Sequence, residues 1–265
     1  MVAQFIGLTK YKTWPAKFVV AQFIGLTQDN TIGQPNKLGD HKKHTMKLDE
    51  IRTKYKRILP HIQPVGAAFF VTFRLKDSIP TVKLWELKQD YENKIAELMR
   101  HGLVTDAVIY EEKKRAFAKY DELLDRVIAG PTHLRNNEIA KLVADELHRH
   151  DGQLYDLIAY TVLANHVHLL IDASIQVPAG LSADVLGNLN FEPLENIMKK
   201  IKGPTAVCAN RLLGRNGKFW QKESYDHYVR NPKEFQNIIN YILNNPVKAR
   251  LAEHWEAHPF TYFKA

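Results

Sequence analysis

Apolar positions along the chain follow two rhythms. Residues 67–75 (AAFFVTFRL) are a short apolar run bounded by Gly66 and Asp77, which predicts a buried strand. Residues 154–172 predict a strand pair or one long strand. Between these, residues 81–101 and 110–129 change to helical spacing: Leu84, Leu87, Tyr91, Ile95 and Leu98 recur at steps of three and four with charges between them. Residues 132–150 predict another helix, capped by Asn136 or Asn137. A helix over 192–213 should break or kink at Gly203-Pro204, because proline lacks the N–H and crowds the preceding turn. A basic turn follows at 214–217. The last helix spans 232–245, with Pro232 in its first turn. The aromatic tail 251–263 should pack back on the body. This order predicts an α+β architecture, one antiparallel sheet covered by helices.

Upstream the pattern is weak. The octapeptide at residues 2–9, VAQFIGLT, recurs unchanged at 20–27. Two copies cannot build a solenoid, so the repeat reads as a recent duplication in the gene or translated repetitive DNA. Residues 28–39 are turn-rich and 41–57 polar and basic. Residues 1–58 are therefore expected to be a loosely structured leader, with the folded domain over 59–265.

A chain of 265 residues can bury one sizeable core, and its 45% apolar and 25% charged content is ordinary for a globular protein. Apolar stretches reach only about ten residues, against the ~20 needed to span a membrane. The apolar patch at 2–9 lacks a basic segment before it and a small-residue cleavage site after it, so no secretory signal is expected. Cys208 is the single cysteine, which excludes an intrachain disulfide and fits a reducing cytosol. The net charge of +8 is unevenly placed: residues 196–265 hold 12 Lys/Arg against 5 Asp/Glu. A local basic field of this kind favours a polyanion, nucleic acid being the usual one.

Three segments carry chemistry. In Asn165-His166-Val167-His168-Leu169-Leu170-Ile171-Asp172, strand alternation puts His166, His168 and Leu170 on one face and Val167, Leu169 and Ile171 on the other. Two imidazoles side by side can converge on one divalent ion, although two surface histidines would give the same pattern. In Asn240-Tyr241-Ile242-Leu243-Asn244-Asn245-Pro246-Val247, Tyr241 and Asn245 stack one helical turn apart. Pro246 places Asn245 in the last turn, where its amide oxygen can coordinate a metal. Between them, Phe219-Trp220-Gln221-Lys222 to Asp226-His227-Tyr228-Val229-Arg230-Asn231 mixes aromatics with cations. Trp220 reads as core, while Arg230, Lys222 and Lys218 are the phosphate candidates. Lys199, Lys200, Lys202, Arg211 and Arg215 are further candidates for holding a DNA backbone, or form a solvated basic face.

In this order the motifs resemble the REP-associated tyrosine transposases, relatives of the insertion-sequence transposases within the HUH single-strand nuclease superfamily. The likeness runs from about residue 59 to 264. It rests on Gly66 to Arg74, Asn165-His166-Val167-His168, Trp220-Gln221, Asp226-His227, Arg230-Asn231, Tyr241-Ile242 with Asn245-Pro246-Val247, and the ending Trp255, Pro259-Phe260-Thr261. The resemblance implies a ferredoxin-like sheet with helices on one face. It also implies a metal pair, His166 and His168, with Asn245 as a third ligand and Tyr241 as nucleophile. The implied activity is nicking and rejoining of single-stranded DNA, often beside a hairpin, through a 5′-phosphotyrosine and with Mg²⁺ or Mn²⁺. It further implies a bacterial, cytoplasmic, nucleoid-associated protein acting as a monomer or homodimer. Compact members have a shorter stretch than residues 81–150, which is therefore expected to be a helical insertion that leaves the motif residues untouched. Two rivals are a domesticated, non-catalytic DNA-binding descendant and a metal-dependent hydrolase that uses water.

Overall fold

The computed structural model describes residues 64–126, 130–177 and 191–264. The expected leader and its repeated octapeptide lie outside the described residues, as does the predicted start of the domain at residue 59. Five strands, β1 (Ala68–Arg74), β2 (Asp156–Val162), β3 (His166–Asp172), β4 (Tyr225–Tyr228) and β5 (Thr261–Phe263), form one sheet in the order β4-β1-β3-β2-β5. Every neighbouring pair is antiparallel. Among the described residues the α-helices are α1 (Thr81–Arg100), α2 (Asp106–Asp125), α3 (Asn137–Arg149), α4 (Leu194–Leu212) and α5 (Pro232–Lys248). The expected α+β architecture is thus found. With α3 and α4 as its two crossover helices, the strand order β4-β1-β3-β2 is that of a ferredoxin-like sheet. The aromatic tail does pack back, as the edge strand β5 beside β2.

The strand alternation sorts residues onto two cores. On one face Phe69, Val71, Phe73, Val167, Leu169 and Ile171 pack with Ile139, Val143 and Leu147 of α3 and Ile197 and Ile201 of α4. On the other, Ala68, Phe70 and Leu170 pack with Phe235, Ile239, Ile242 and Leu243 of α5, and Phe117 of α2 lies against them. Helices therefore cover both faces, which corrects the expectation of helices on one face. The histidine strand is buried on both sides for the same reason, and the two-histidine face is not a solvent face.

Two boundaries show what overrides local propensity. Pro204 lies inside an uninterrupted α4, where the expected break does not occur. The buried stripe of Leu194, Ile197, Ile201 and Ala209 holds the helix together, and the Thr205 hydroxyl donates to the Ile201 carbonyl at 2.7 Å within the disturbed turn. Pro246 is likewise accommodated inside α5, leaving Asn245 in the last turn. Asn136 caps α3, accepting from the amides of Glu138 and Ile139.

Of the stretch 81–150, α3 is part of the sheet's own pattern. Helices α1 and α2 pair along each other as a hairpin set on the α5 face. No residue of α1 is buried, while α2 buries Asp121 and Leu124. An acid on the inward face of an amphipathic helix is the unusual feature of this hairpin.

Candidate active site

The site lies in the layer between the sheet and the pair α2 and α5. Alternation on β3 turns His166 and His168 toward this layer, and both are almost fully buried. Their Nε2 atoms are 3.1 Å apart. Each ring is oriented through its other nitrogen: His168 Nδ1 lies 2.8 Å from Thr72 Oγ1 on β1, and His166 Nδ1 lies 2.7 Å from Asn165 Oδ1. Asn165 in turn donates its Nδ2 to the Leu124 carbonyl of α2 at 3.1 Å, so its Oδ1 is the end that meets His166. A carboxamide oxygen only accepts, so His166 carries its proton on Nδ1 and presents the lone pair of Nε2. Burial, then the neighbouring His168, hold the His166 imidazole well below its usual range, which keeps it neutral.

Asp121 reaches the pair from α2. Its Oδ1 lies 3.2 Å from His168 Nε2, within ion-pair range but without hydrogen-bond alignment. Burial opposes its ionisation, but the adjacent His168 and His166 outweigh this and hold the carboxyl at about 2. Donor atoms of Asp121, His166 and His168 all lie within 4.8 Å of one another. Neighbouring ligands about 2.1 Å from one ion are themselves roughly 3 Å apart, the spacing of these nitrogens. Two further oxygens in this layer, Asn245 Oδ1 and Asp125 Oδ1, are buried without a hydrogen-bond partner. Such orphaned acceptors cost free energy unless a cation satisfies them. The donor set therefore fits a divalent metal: two imidazoles, one carboxylate and an amide oxygen in reserve.

Tyr241 completes the group from α5. Its hydroxyl donates to Asp121 Oδ2, and its ring centroid is 5.3 Å from that of His168 and 5.8 Å from that of Phe70. Burial first, and then the Asp121 carboxylate, push the phenol far above its ordinary range, so it is neutral at neutral pH. One turn on, Asn245 donates its Nδ2 to the Tyr241 carbonyl at 3.2 Å, which leaves Oδ1 as its free end. Lys248 closes the helix end onto α2, 2.6 Å from Asp125 and 3.9 Å from Asp121.

The structure thus brings together Tyr241, His166 and His168, with Asn245 one turn from the phenol. It disperses the basic candidates. Lys199, Lys200, Lys202 and Arg211 belong to α4, across the sheet from the histidines. Lys199 and Lys200 pair with Glu195 and Glu192 at 3.1 and 2.7 Å. Lys202 donates to the carbonyls of Gln221 and Lys222 and to Ser224, a clamp on that loop. Arg215 meets His133 at 2.8 Å. Lys218 and Lys222 are exposed on the loop before β4. Arg230 alone among these candidates lies on the α5 side, its guanidinium 4.0 Å over the Tyr110 ring.

Three site residues carry no assignment from the sequence: Asp121, Asp125 and Thr72. Helix α2, within the stretch expected to be an insertion, supplies the carboxylate that both Tyr241 and His168 meet. The signal was present in the order Phe117, Asp121, Leu124, which sets an acid in the apolar stripe of a helix.

No family model matches the chain. A Haemophilus influenzae protein named "Putative REP-associated tyrosine transposase" is 26% identical over 111 residues, covering 41% of this chain and 59% of that protein. The match therefore spans less than two-thirds of that relative's length. A solved structure, described as a REP-associated tyrosine transposase bound to a REP hairpin, matches with a TM-score of 0.38 and 15% identity over 79% of this chain and 81% of that one. A likeness at that score adds no weight. The sequence match agrees with the order of motifs: over that stretch the chain is similar to a REP-associated tyrosine transposase.

Proposed function

We propose that the chain is a metal-dependent enzyme that nicks and rejoins single-stranded DNA through a covalent phosphotyrosine at Tyr241. The observation that carries this reading is the meeting of one phenol, two imidazoles and one carboxylate in a single buried layer, contributed by α5, β3 and α2. His166, His168 and Asp121 would hold a divalent ion, Mg²⁺ or Mn²⁺, with Asn245 able to add its amide oxygen. Such an ion polarises the scissile phosphate and neutralises its charge.

The chain's own residues account for the rest. Tyr241 supplies the nucleophilic oxygen: its bond to phosphorus forms as the bond from phosphorus to the 3′-oxygen breaks, leaving a free 3′-OH and a 5′-phosphotyrosine. The phosphodiester energy is kept in that bond, so a second 3′-OH reverses the step without ATP. Asp121 accepts the hydrogen bond of the phenol and so aims its oxygen toward the metal ligands. Asn165 and Thr72 fix the imidazole orientations. The family resemblance points to DNA that folds into a hairpin beside the cleavage point.

The test is incubation of the full chain with single-stranded DNA from the flanks of its gene and Mn²⁺, followed by denaturing electrophoresis. Wild-type protein should form a covalent adduct that Tyr241→Phe does not form, and His166→Ala should lose cleavage yet keep binding. An adduct retained by Tyr241→Phe removes the nucleophile assignment. Binding without any adduct from the wild type leaves the non-catalytic DNA-binding reading, and cleavage without an adduct leaves the hydrolase.

A further inference from the structure

A cleft lies between α2 and the edge strand β4, lined by Tyr91, Tyr110, Lys113, Phe117, Tyr228 and Arg230. Three features set it apart. The Arg230 guanidinium lies 4.0 Å from the Tyr110 ring centroid and 5.1 Å from that of Tyr228, and its Nε is buried with no hydrogen-bond partner. Lys113 lines the same wall and is half-buried there. Both cations line this one cleft, and burial, then the positive charge of Arg230, depress the Lys113 ammonium. Phe117 stacks on Tyr225 at 4.1 Å and meets the Tyr241 ring edge-on at 6.2 Å, so one aromatic layer separates the cleft from the proposed nucleophile.

Paired cations between aromatic rings suit a ligand with a negative charge and a flat face. Phosphate meets a guanidinium and an ammonium, and a base stacks on tyrosine. Glu223 and Asp226 also line the cleft. They disfavour a bare polyphosphate but can accept from the amino groups of a base. The groove on the opposite face, between α4 and the loop before β4, offers less. Its rings, Phe219 and Trp220, are 2% and 5% exposed and so present no stacking surface, and the sheet separates it from Tyr241.

We propose that the cleft between α2 and β4 holds one nucleotide of the single strand next to the scissile phosphate, with its phosphate on Arg230 and Lys113 and its base among the tyrosines. The inserted hairpin is then a wall of the DNA path as well as the source of Asp121. This rests on the single-strand nicking reading above.

The test uses the full chain and a single-stranded oligonucleotide from the flanks of its gene. Binding is followed by fluorescence anisotropy over a range of salt, in parallel with photocrosslinking of the same oligonucleotide carrying 5-iodouracil. Tyr91→Ala should weaken binding about fivefold or more, as loss of a stacked base does. Lys113→Ala should weaken it and lower the salt slope by about 1, as loss of one phosphate contact does. Arg230→Lys, which keeps the charge and loses the planar stack, should weaken binding with little change in slope. Crosslinks should map to residues 106–120 or 225–230. Unchanged affinity and slope in all three variants overturn the proposal, as do crosslinks confined to 199–222. An adduct at Tyr241 without crosslinks in the cleft removes this inference and leaves the nicking reading. Crosslinks in the cleft with no adduct do the reverse.

Discussion

At the scale of single residues, the site depends on which nitrogen of each imidazole is left free. The Asn165 oxygen accepts a hydrogen bond from His166 Nδ1–H, and the Leu124 carbonyl fixes which end of the Asn165 amide faces the ring. Asn165→Ala should therefore let the ring turn and lower Mn²⁺ affinity about 10–100-fold, the usual effect of losing a group that orients a ligand. Titration calorimetry reads this directly, and an unchanged affinity would show that packing alone sets the tautomer. Glu234 allows a second test. Burial raises its pKa, but hydrogen bonds from His227, Tyr110 and the Arg230 amide outweigh that and hold the carboxyl at about 2 against an ordinary 4.5. The folded-state value is lowered, so the stabilisation is complete above about 4.5 and is lost as pH falls toward 2. Its full size is about 2 kcal/mol after allowance for partial exposure. Urea unfolding should find Glu234→Gln less stable than wild type at pH 7, with the gap shrinking between pH 5 and pH 3. A gap that stays constant would place the loss in packing. The sequence made the histidine pair legible, because strand alternation is a strict period of two. It did not make Asp121 legible as a neighbour of the histidines, since an acid on a charged helix reads as solvated until the burial of its face is known.

At the scale of elements, periodicity located the five helices and three central strands of the described residues but misjudged what proline does. Pro204 removes one N–H and crowds the Lys200 carbonyl, at about 3 kcal/mol in a helix interior. Helix α4 continues because it buries Leu194, Ile197, Ile201 and Ala209 against the sheet. Each large apolar side chain so buried contributes about 1.5–3 kcal/mol. Tertiary burial thus exceeds the local penalty, and local sequence cannot weigh one against the other. Pro204→Ala should stabilise the protein by about 2 kcal/mol, the helix-interior penalty less the backbone entropy proline removes from the unfolded chain. A urea midpoint that moves down would mean that the proline shapes α4 in a way the packing needs. The edge strands β4 and β5 span four and three residues, too short for alternation to separate them from aromatic loops. Their pairing with β1 and β2 becomes visible only in three dimensions.

At the scale of the whole molecule, the two faces of the sheet do different work. Helices α3 and α4 cover one with an apolar core, while α5 and the α1–α2 hairpin cover the other around a polar center. The second cover was not legible, because long-range contacts such as Lys248 to Asp125 and Asn165 to Leu124 join segments more than 40 residues apart. That arrangement ties the proposed metal site to the docking of the hairpin. A ligand that binds only the folded state stabilises it by RT ln(1 + [L]/Kd), about 2.7 kcal/mol at 100 times Kd. Mn²⁺ should therefore raise the unfolding temperature by several degrees, an increment that EDTA removes. His166→Ala should lose the increment, and Asp121→Asn should lose most of it, because a neutral amide is a weaker ligand than a carboxylate. Lys141→Ala, on the exposed side of α3, should keep it. If Asp121→Asn responded to Mn²⁺ as fully as the wild type, the carboxylate would be a partner of the phenol alone, and the ion would have to rest on the histidines and Asn245. A full response lost in Asp121→Asn but kept in Asn245→Ala would instead assign the third ligand to α2, making this hairpin a working part of the proposed metal site.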